Sequence, residues 1–276
     1  MANLKTTICG IELPNPICTA AGPASANAEI LRHAAEGGAG GLVTKTISVE
    51  SARVPIPNIS SPIAGSLLNA ELWSEMDYRV FIDKELPQIK SLGIPVIVSV
   101  GYSLNDLEIL GKALEKSGLV DAIEFSIHYI GKDIDNLKRT ASALKDQVSV
   151  PVFAKLSPSI SDLKTVIQAL DEIVDGYVAI NSVGPALDFS IETMQPYLGS
   201  QDGRGWLAGR AILPIGLHFV ASIYSLSQKP VIGIGGISSA QDIVKYLMAG
   251  ASAVQICSLA ILKGQQVYGE LAQQLS

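Results

Sequence analysis

Short apolar runs alternate along this chain with longer stretches in which apolar residues recur every three or four positions. The runs fall at 16–20, 41–46, 95–100, 122–128, 151–156, 176–181, 230–235 and 253–257, and they read as buried strands. The stretches between them, 27–36, 75–91, 105–116, 133–145, 161–173, 211–226, 240–249 and 259–275, read as helices. Eight strand–helix units in 276 residues match the length of a (β/α)8 TIM barrel, expected here as a single domain over residues 1–276. A doubly wound open sheet is the alternative, and the even spacing and the count of eight favour closure. Pro16, Pro95, Pro151 and Pro230 open strands, where no ladder donor is yet required. Gly37, Gly38, Gly93, Gly118 and Gly250 stand where helices should stop.

Two longer connections break the rhythm. Residues 48–74 follow the second strand and contain Pro55, Pro57 and Pro62; residues 184–208 follow the sixth and run into Gly203-Arg-Gly-Trp-Leu-Ala-Gly209. Both leave the carboxyl ends of strands, where barrel enzymes build their sites.

Composition narrows the class. The chain is 48% hydrophobic and 17% charged, which excludes disorder. A net charge of −6 without a Lys/Arg cluster argues against nucleic acid. Cys9, Cys18 and Cys257 form no CxxC pair and no ligand-like spacing with the histidines, so neither a disulfide framework nor a metal site is expected. The opening Met-Ala-Asn-Leu-Lys has no apolar secretory core, and a cytoplasmic enzyme with reduced cysteines is expected. Residues 246–262 are uncharged, but Gly250, Ser252, Gln255 and Ser258 make a short buried strand a better reading than a membrane span.

Strand parity then locates chemistry. In 122–128, Glu124, Ser126 and His128 share one face, while Ile123, Phe125 and Ile127 share the other. The apolar face should meet the helices, so the polar set points into the barrel. Lys45 on the second strand, Lys155 on the fifth and Asn181 on the sixth can also face inward. Two lysines at one mouth point to a site rather than to stems snorkelling to solvent. Glu124 is placed to buttress one of them across the barrel. His128 reads equally as a site residue or as a satisfied interior histidine, whereas His33 and His218 lie on helices. Trp73 and Trp206, in the two long connections, either anchor packing or wall a planar ligand. Ile232-Gly-Ile-Gly-Gly-Ile-Ser-Ser239 and Ile256-Cys-Ser-Leu-Ala260 each end a strand and open a helix. In the seventh and eighth units that is the barrel phosphate position, so a phosphate-bearing ligand is expected.

At this point the chain resembles the dihydroorotate dehydrogenase family of FMN barrels, including the related flavin domain of dihydropyrimidine dehydrogenases. The likeness runs over nearly the whole chain. It is carried by Gly10-Ile-Glu-Leu-Pro-Asn-Pro16 with Ala20-Ala-Gly22, Gly41-Leu-Val-Thr-Lys-Thr46, Phe153-Ala-Lys-Leu-Ser-Pro158 and Asn181-Ser-Val-Gly184. Gly209 with Pro214, Gly233-Ile-Gly-Gly-Ile237 and Gly250-Ala-Ser-Ala-Val-Gln-Ile-Cys-Ser258 complete it. The resemblance implies FMN, with Ala20, Ala21 and Gly22 beside the isoalloxazine ring and Lys45 and Thr46 at its polar edges. It implies Lys155 near the N1/O2 edge, Ser126, Asn181 and Ser182 about the ring, and Gly209, Gly235, Gly236, Cys257 and Ser258 on the ribityl phosphate. It implies Lys45, Asn69 and Asn181 as substrate contacts. A homodimer is implied too, with an electron-transfer partner in some members.

The departures are informative. Where the family carries Asn-x-Ser-Cys-Pro-Asn, with a cysteine or serine base, this chain reads Ser126-Ile-His-Tyr-Ile-Gly131. Tyr129 aligns with the base, and Ser126 and Gly131 replace orotate-binding asparagines. The first long connection, after the second strand, normally carries an Asn and a Gly-Leu-Pro-Asn run; here it reads Gly65-Ser-Leu-Leu-Asn-Ala-Glu-Leu-Trp73, with Asn69 as the nearby amide. The expected protein is an FMN oxidoreductase acting on a planar substrate other than orotate, with Tyr129 or His128 as acid/base. The competing readings are dihydroorotate dehydrogenase with a substituted base, a barrel aldolase using Lys155 as a Schiff base, and a non-catalytic flavin-binding subunit.

Overall fold

The structure, a computed structural model, describes residues 3–127 and 133–276. Eight parallel strands form the central sheet: β1 (Ile17–Thr19), β2 (Leu42–Val43), β3 (Val96–Val100), β4 (Ala122–Ser126), β5 (Val152–Leu156), β6 (Gly176–Ala179), β7 (Val231–Ile234) and β8 (Ala251–Ile256). Their order around the sheet is β1-β8-β7-β6-β5-β4-β3-β2. The last seam closes through a parallel bridge between Cys18 and Gly41. There the Thr19 side chain accepts from Val43 N at 2.6 Å and donates to Val43 O at 2.8 Å. Closure removes the open-sheet alternative, and the (β/α)8 barrel stands.

Helices follow the strands, and several begin at side-chain caps that satisfy free N–H groups. Helix α1 (Ala28–Glu36) is capped by Asn27, which accepts from Ile30 N at 2.9 Å. The fourth-unit helix Ile134–Lys145 is capped by Asp133, and Ala240–Met248 by Ser239. Leu104–Ser117 begins in a reciprocal Ser103/Asp106 capping box and stops at Gly118, whose φ of 64° is left-handed.

Two expectations shift and a third is met. The helix expected from 75 starts at Tyr78, because Asp77 accepts from Arg79 N and caps it there. The helix expected over 259–275 is two, Ser258–Lys263 and Val267–Leu275, broken at Gly264 with φ 94°. The uncharged stretch 246–262 holds the end of one helix, a barrel strand and the start of another. Among the described residues no helix is long and apolar enough to cross a membrane.

Sequence periodicity missed the amino-terminal hairpin Thr6–Ile8/Ile11–Leu13. Its two-residue turn, Cys9 and Gly10, has φ of 49° and 81°, the twin left-handed geometry of a type I′ turn. Ile8 and Leu13 pack onto one side chain from every barrel strand: Cys18, Val43, Ile97, Ala122, Phe153, Val178, Ile232 and Ala253. That ring is the apolar floor of the barrel. The larger apolar core lies outside it, between the strands and the helices.

Candidate functional site

Two residues beyond five of the eight floor positions, the inward-facing side chains turn polar. Val43, Ile97, Ala122, Phe153 and Ala253 are succeeded by Lys45, Ser99, Glu124, Lys155 and Gln255. Lys155 Nζ donates to Glu124 Oε1 at 3.0 Å and to Gln255 Oε1 at 3.3 Å. Gln255 Nε2 donates to the other Glu124 oxygen at 2.6 Å. Ser99 Oγ donates to Glu124 Oε1 at 3.4 Å and meets Thr46 Oγ1 at 2.9 Å. Glu124 is 0% exposed and Lys155 4%, so both charges are out of water and must be held by these partners. The carboxylate thus meets the Lys155 ammonium, as strand parity implies. Ser99 and Gln255 are members that the sequence reading did not single out, although Gln255 has a signal: it is a polar residue at inward parity within an apolar strand.

Lys45 is held from a different direction. Its ammonium pairs with Glu71 Oε2 at 2.6 Å, and the Asn58 amide donates a short hydrogen bond to Glu71 Oε1. Neither partner was foreseen. They come from the long connection after β2, which folds into a small sheet over the mouth. Ser66–Asn69 pairs antiparallel with Gly205–Gly209 in the connection after β6, in a register that sets Asn69 against Trp206. Asn69 Nδ2 donates to Trp206 O at 3.0 Å, and Asn69 Oδ1 accepts from Glu71 N at 3.4 Å. This pairing links residues about half the chain apart, which no local pattern reveals.

A cleft of about 1080 Å³, counted out to solvent, opens above this polar layer. Lys45, Thr46, Asn69, Lys155, Asn181 and Ser182 line it on the polar side. Ile180, Trp206, Ile212, Ile234 and Ile261 give it apolar walls. The loops after β1, β7 and β8 contribute Ala21, Gly22, Gly235, Gly236, Cys257 and Ser258. Gly209 also lines it, whereas Ala20 is buried at the end of β1. Asn181 Nδ2 donates to Ser126 Oγ at 3.4 Å, linking the ends of β4 and β6. Burial pushes the Cys257 thiol up, so this cysteine borders the cleft as a thiol rather than a thiolate.

His128 and Tyr129, with Gly131, lie outside the described residues. His33 contacts Arg32 and His218 packs edge-on against Phe219, both remote from the cleft. Trp206 walls the cleft, while Trp73 packs against Tyr102 at 5.3 Å and donates to Glu50 O. Among the described residues no group of His, Cys, Asp and Glu side chains could hold a metal ion.

The closed barrel with a lysine-bearing cleft at the strand carboxyl ends is the arrangement of a barrel enzyme. Comparison with protein families matches the description "Dihydroorotate dehydrogenase" over residues 3–276. The chain is 35% identical to the dihydroorotate dehydrogenase B (NAD(+)) catalytic subunit of Methanocaldococcus jannaschii, over 99% of this chain and 92% of that protein. It is 34% identical to the protein of the same name from Thermoplasma acidophilum, over 100% of this chain and 93% of that one. The Pyrococcus furiosus protein is 35% identical, over 98% and 92%. The chain belongs to the dihydroorotate dehydrogenase family, and with it to the flavin-dependent oxidoreductases that act on CH–CH groups. That membership sets aside the Schiff-base aldolase and the non-catalytic subunit.

Proposed function

We infer that the protein uses FMN to exchange hydride with the CH–CH or C=C bond of a small planar substrate other than orotate. The observation that supports this best is the buried Lys155 ammonium, held by Glu124 and Gln255 at the base of a cleft with apolar walls. A flat heteroaromatic ring with polar edges suits such walls and such donors. The glycine-lined loop after β7 offers backbone N–H groups to a phosphate, and Cys257 and Ser258 stand beside it at the helix start after β8. The residues present therefore fit the cofactor.

FMN supplies, when bound, the hydride acceptor or donor at N5. Lys155 would hold the ring edge on which negative charge collects, its position fixed from behind by Glu124. Ala20, Ala21, Gly22 and Thr46 would flank the ring, with Ser126, Asn181 and Ser182 about it. Gly209, Gly235, Gly236, Cys257 and Ser258 would hold the ribityl phosphate. Lys45, Asn69 and Asn181 would orient the substrate. His128 or Tyr129 would take or return the proton: histidine has the ordinary pKa nearer neutrality, and tyrosine holds the aligned position. The names of the relatives motivate a second reading in which the substrate is dihydroorotate and the base is simply replaced. They also suggest a catalytic subunit with an NAD-linked partner, and a cytoplasmic location is part of the same proposal. A homodimer remains part of this proposal.

The test begins with the visible spectrum of the purified protein. A colourless protein that does not take up FMN refutes the reading. Turnover of dihydroorotate favours the second reading, and turnover of other enones or heterocycles without it favours the first. Single-turnover flavin reduction should slow in His128→Ala or in Tyr129→Phe, by about 100-fold or more for the true acid/base. Unchanged rates in both remove these two residues from that role.

A further inference from the structure

We propose that Glu71 sets the charge selectivity of the cleft, masking Lys45 so that an uncharged ring is taken in preference to one bearing a carboxylate. The proposal deepens the oxidoreductase reading above and rests on it.

The Lys45 and Glu71 side chains are only 11% and 13% exposed, and their charged ends are 2.6 Å apart. Asn58 engages the second carboxylate oxygen, and Asn69, itself fixed by the sheet over the mouth, accepts from Glu71 N. Glu71 is therefore set in place rather than swinging into solvent. Among the described residues, the charged side chains lining the cleft are Lys45, Lys155 and Glu71. Lys155 is paired behind the wall with Glu124, and Lys45 is paired with Glu71. Both cations are already matched, and among the described residues the cleft offers no unmatched positive charge.

A ring carrying a carboxylate would add a third negative group to this balanced set and would give up its hydration to do so. A neutral ring gives up less. Its carbonyl can take a remaining Lys45 N–H, and its N–H groups can meet the Asn69 and Asn181 amides, which also line the cleft. With an effective dielectric constant near 20, the Glu71 charge alone should cost a carboxylate about 5 Å away on the order of 100-fold in affinity, part of which the Lys45 ammonium offsets in wild type.

Orotate and its carboxamide are suitable probes, since they share one ring and differ in that charge. Each is titrated calorimetrically into FMN-loaded wild type, Glu71→Gln, and Glu71→Gln/Lys45→Gln. Wild type should bind the carboxamide at least about tenfold more tightly than orotate. Glu71→Gln keeps the shape and removes the charge, and it should move the ratio of dissociation constants toward orotate by about 100-fold. The added Lys45→Gln change should abolish the orotate binding gained. Three results overturn the proposal: wild type binding orotate as tightly as the carboxamide, a Glu71→Gln ratio within about twofold of wild type, or a folded Glu71→Gln protein that binds no orotate. Glu71→Ala gives the same readout if the glutamine variant fails to melt cooperatively. Flavin content is read separately from the visible absorption of each protein. A wild type that stays colourless after exposure to FMN therefore refutes the oxidoreductase reading, whereas the ratio alone decides the role of Glu71.

Discussion

Replacing Lys155 by methionine keeps most of the side-chain volume and deletes the ammonium that faces Glu124. The carboxylate is then left fully buried, with Gln255 and Ser99 as its remaining partners. Removing one member of a buried pair costs about 3–5 kcal/mol, because the other charge stays out of water without its counter-charge. Glu124→Gln exposes the same imbalance from the opposite side and should cost about as much. The double variant carries neither charge, and the amide introduced by Glu124→Gln would still be within reach of Gln255 and Ser99. It should therefore lose much less than the sum, with a coupling of about 2–3 kcal/mol or more. At roughly 2–4 °C per kcal/mol, each single variant should melt about 10 °C below wild type. Thermal melts followed by circular dichroism decide it. All four proteins must be melted free of FMN, since a ligand bound only by the folded state raises the midpoint and the Lys155 variant would bind it differently. Single shifts under about 3 °C, or a double variant equal to the sum, would refute the claim that these charges hold each other.

Two more outcomes follow from the backbone and from the thiols. Gly236 has φ 76°, and an added Cβ would lie 2.6 Å from Leu213 N, whereas Gly118 has φ 64° and open space around the same point. Gly118→Ala should cost about 1 kcal/mol from conformation alone; Gly236→Ala should cost more and weaken FMN retention, and equal melts of the two variants would contradict this. Burial pushes the Cys18 thiol from 9.0 up to about 12, so the folded state keeps a proton that the unfolded chain releases. The contribution is complete below pH 9 and is lost as pH rises toward 12, amounting to about 1.4 kcal/mol by pH 10. Cys18→Ala should therefore show a flatter decline of unfolding free energy between those pH values than wild type, and parallel curves would refute it.

The barrel was legible because each βα unit states itself locally: an apolar run, a cap such as Ser103 or Asp133, a stop such as Gly118. Lys45, Glu124 and Lys155 could be placed because the period of two along a strand carries through to the barrel interior. Glu71 and Asn58 could not. They lie in a proline-rich connection with no period, and their position depends on Ser66–Asn69 pairing with Gly205–Gly209, far along the chain. The amino-terminal hairpin was overlooked for a different reason. Its three-residue strands are short, and cysteine is a poor advertisement for the left-handed turn it occupies.

The hairpin has a consequence for traffic. With Ile8 and Leu13 stoppering the lower end against a ring of eight apolar side chains, the barrel is, among the described residues, a vessel closed at its base. Whatever comes to lie above Lys155 therefore cannot arrive or depart through the base, so successive visitors share the upper rim as their threshold.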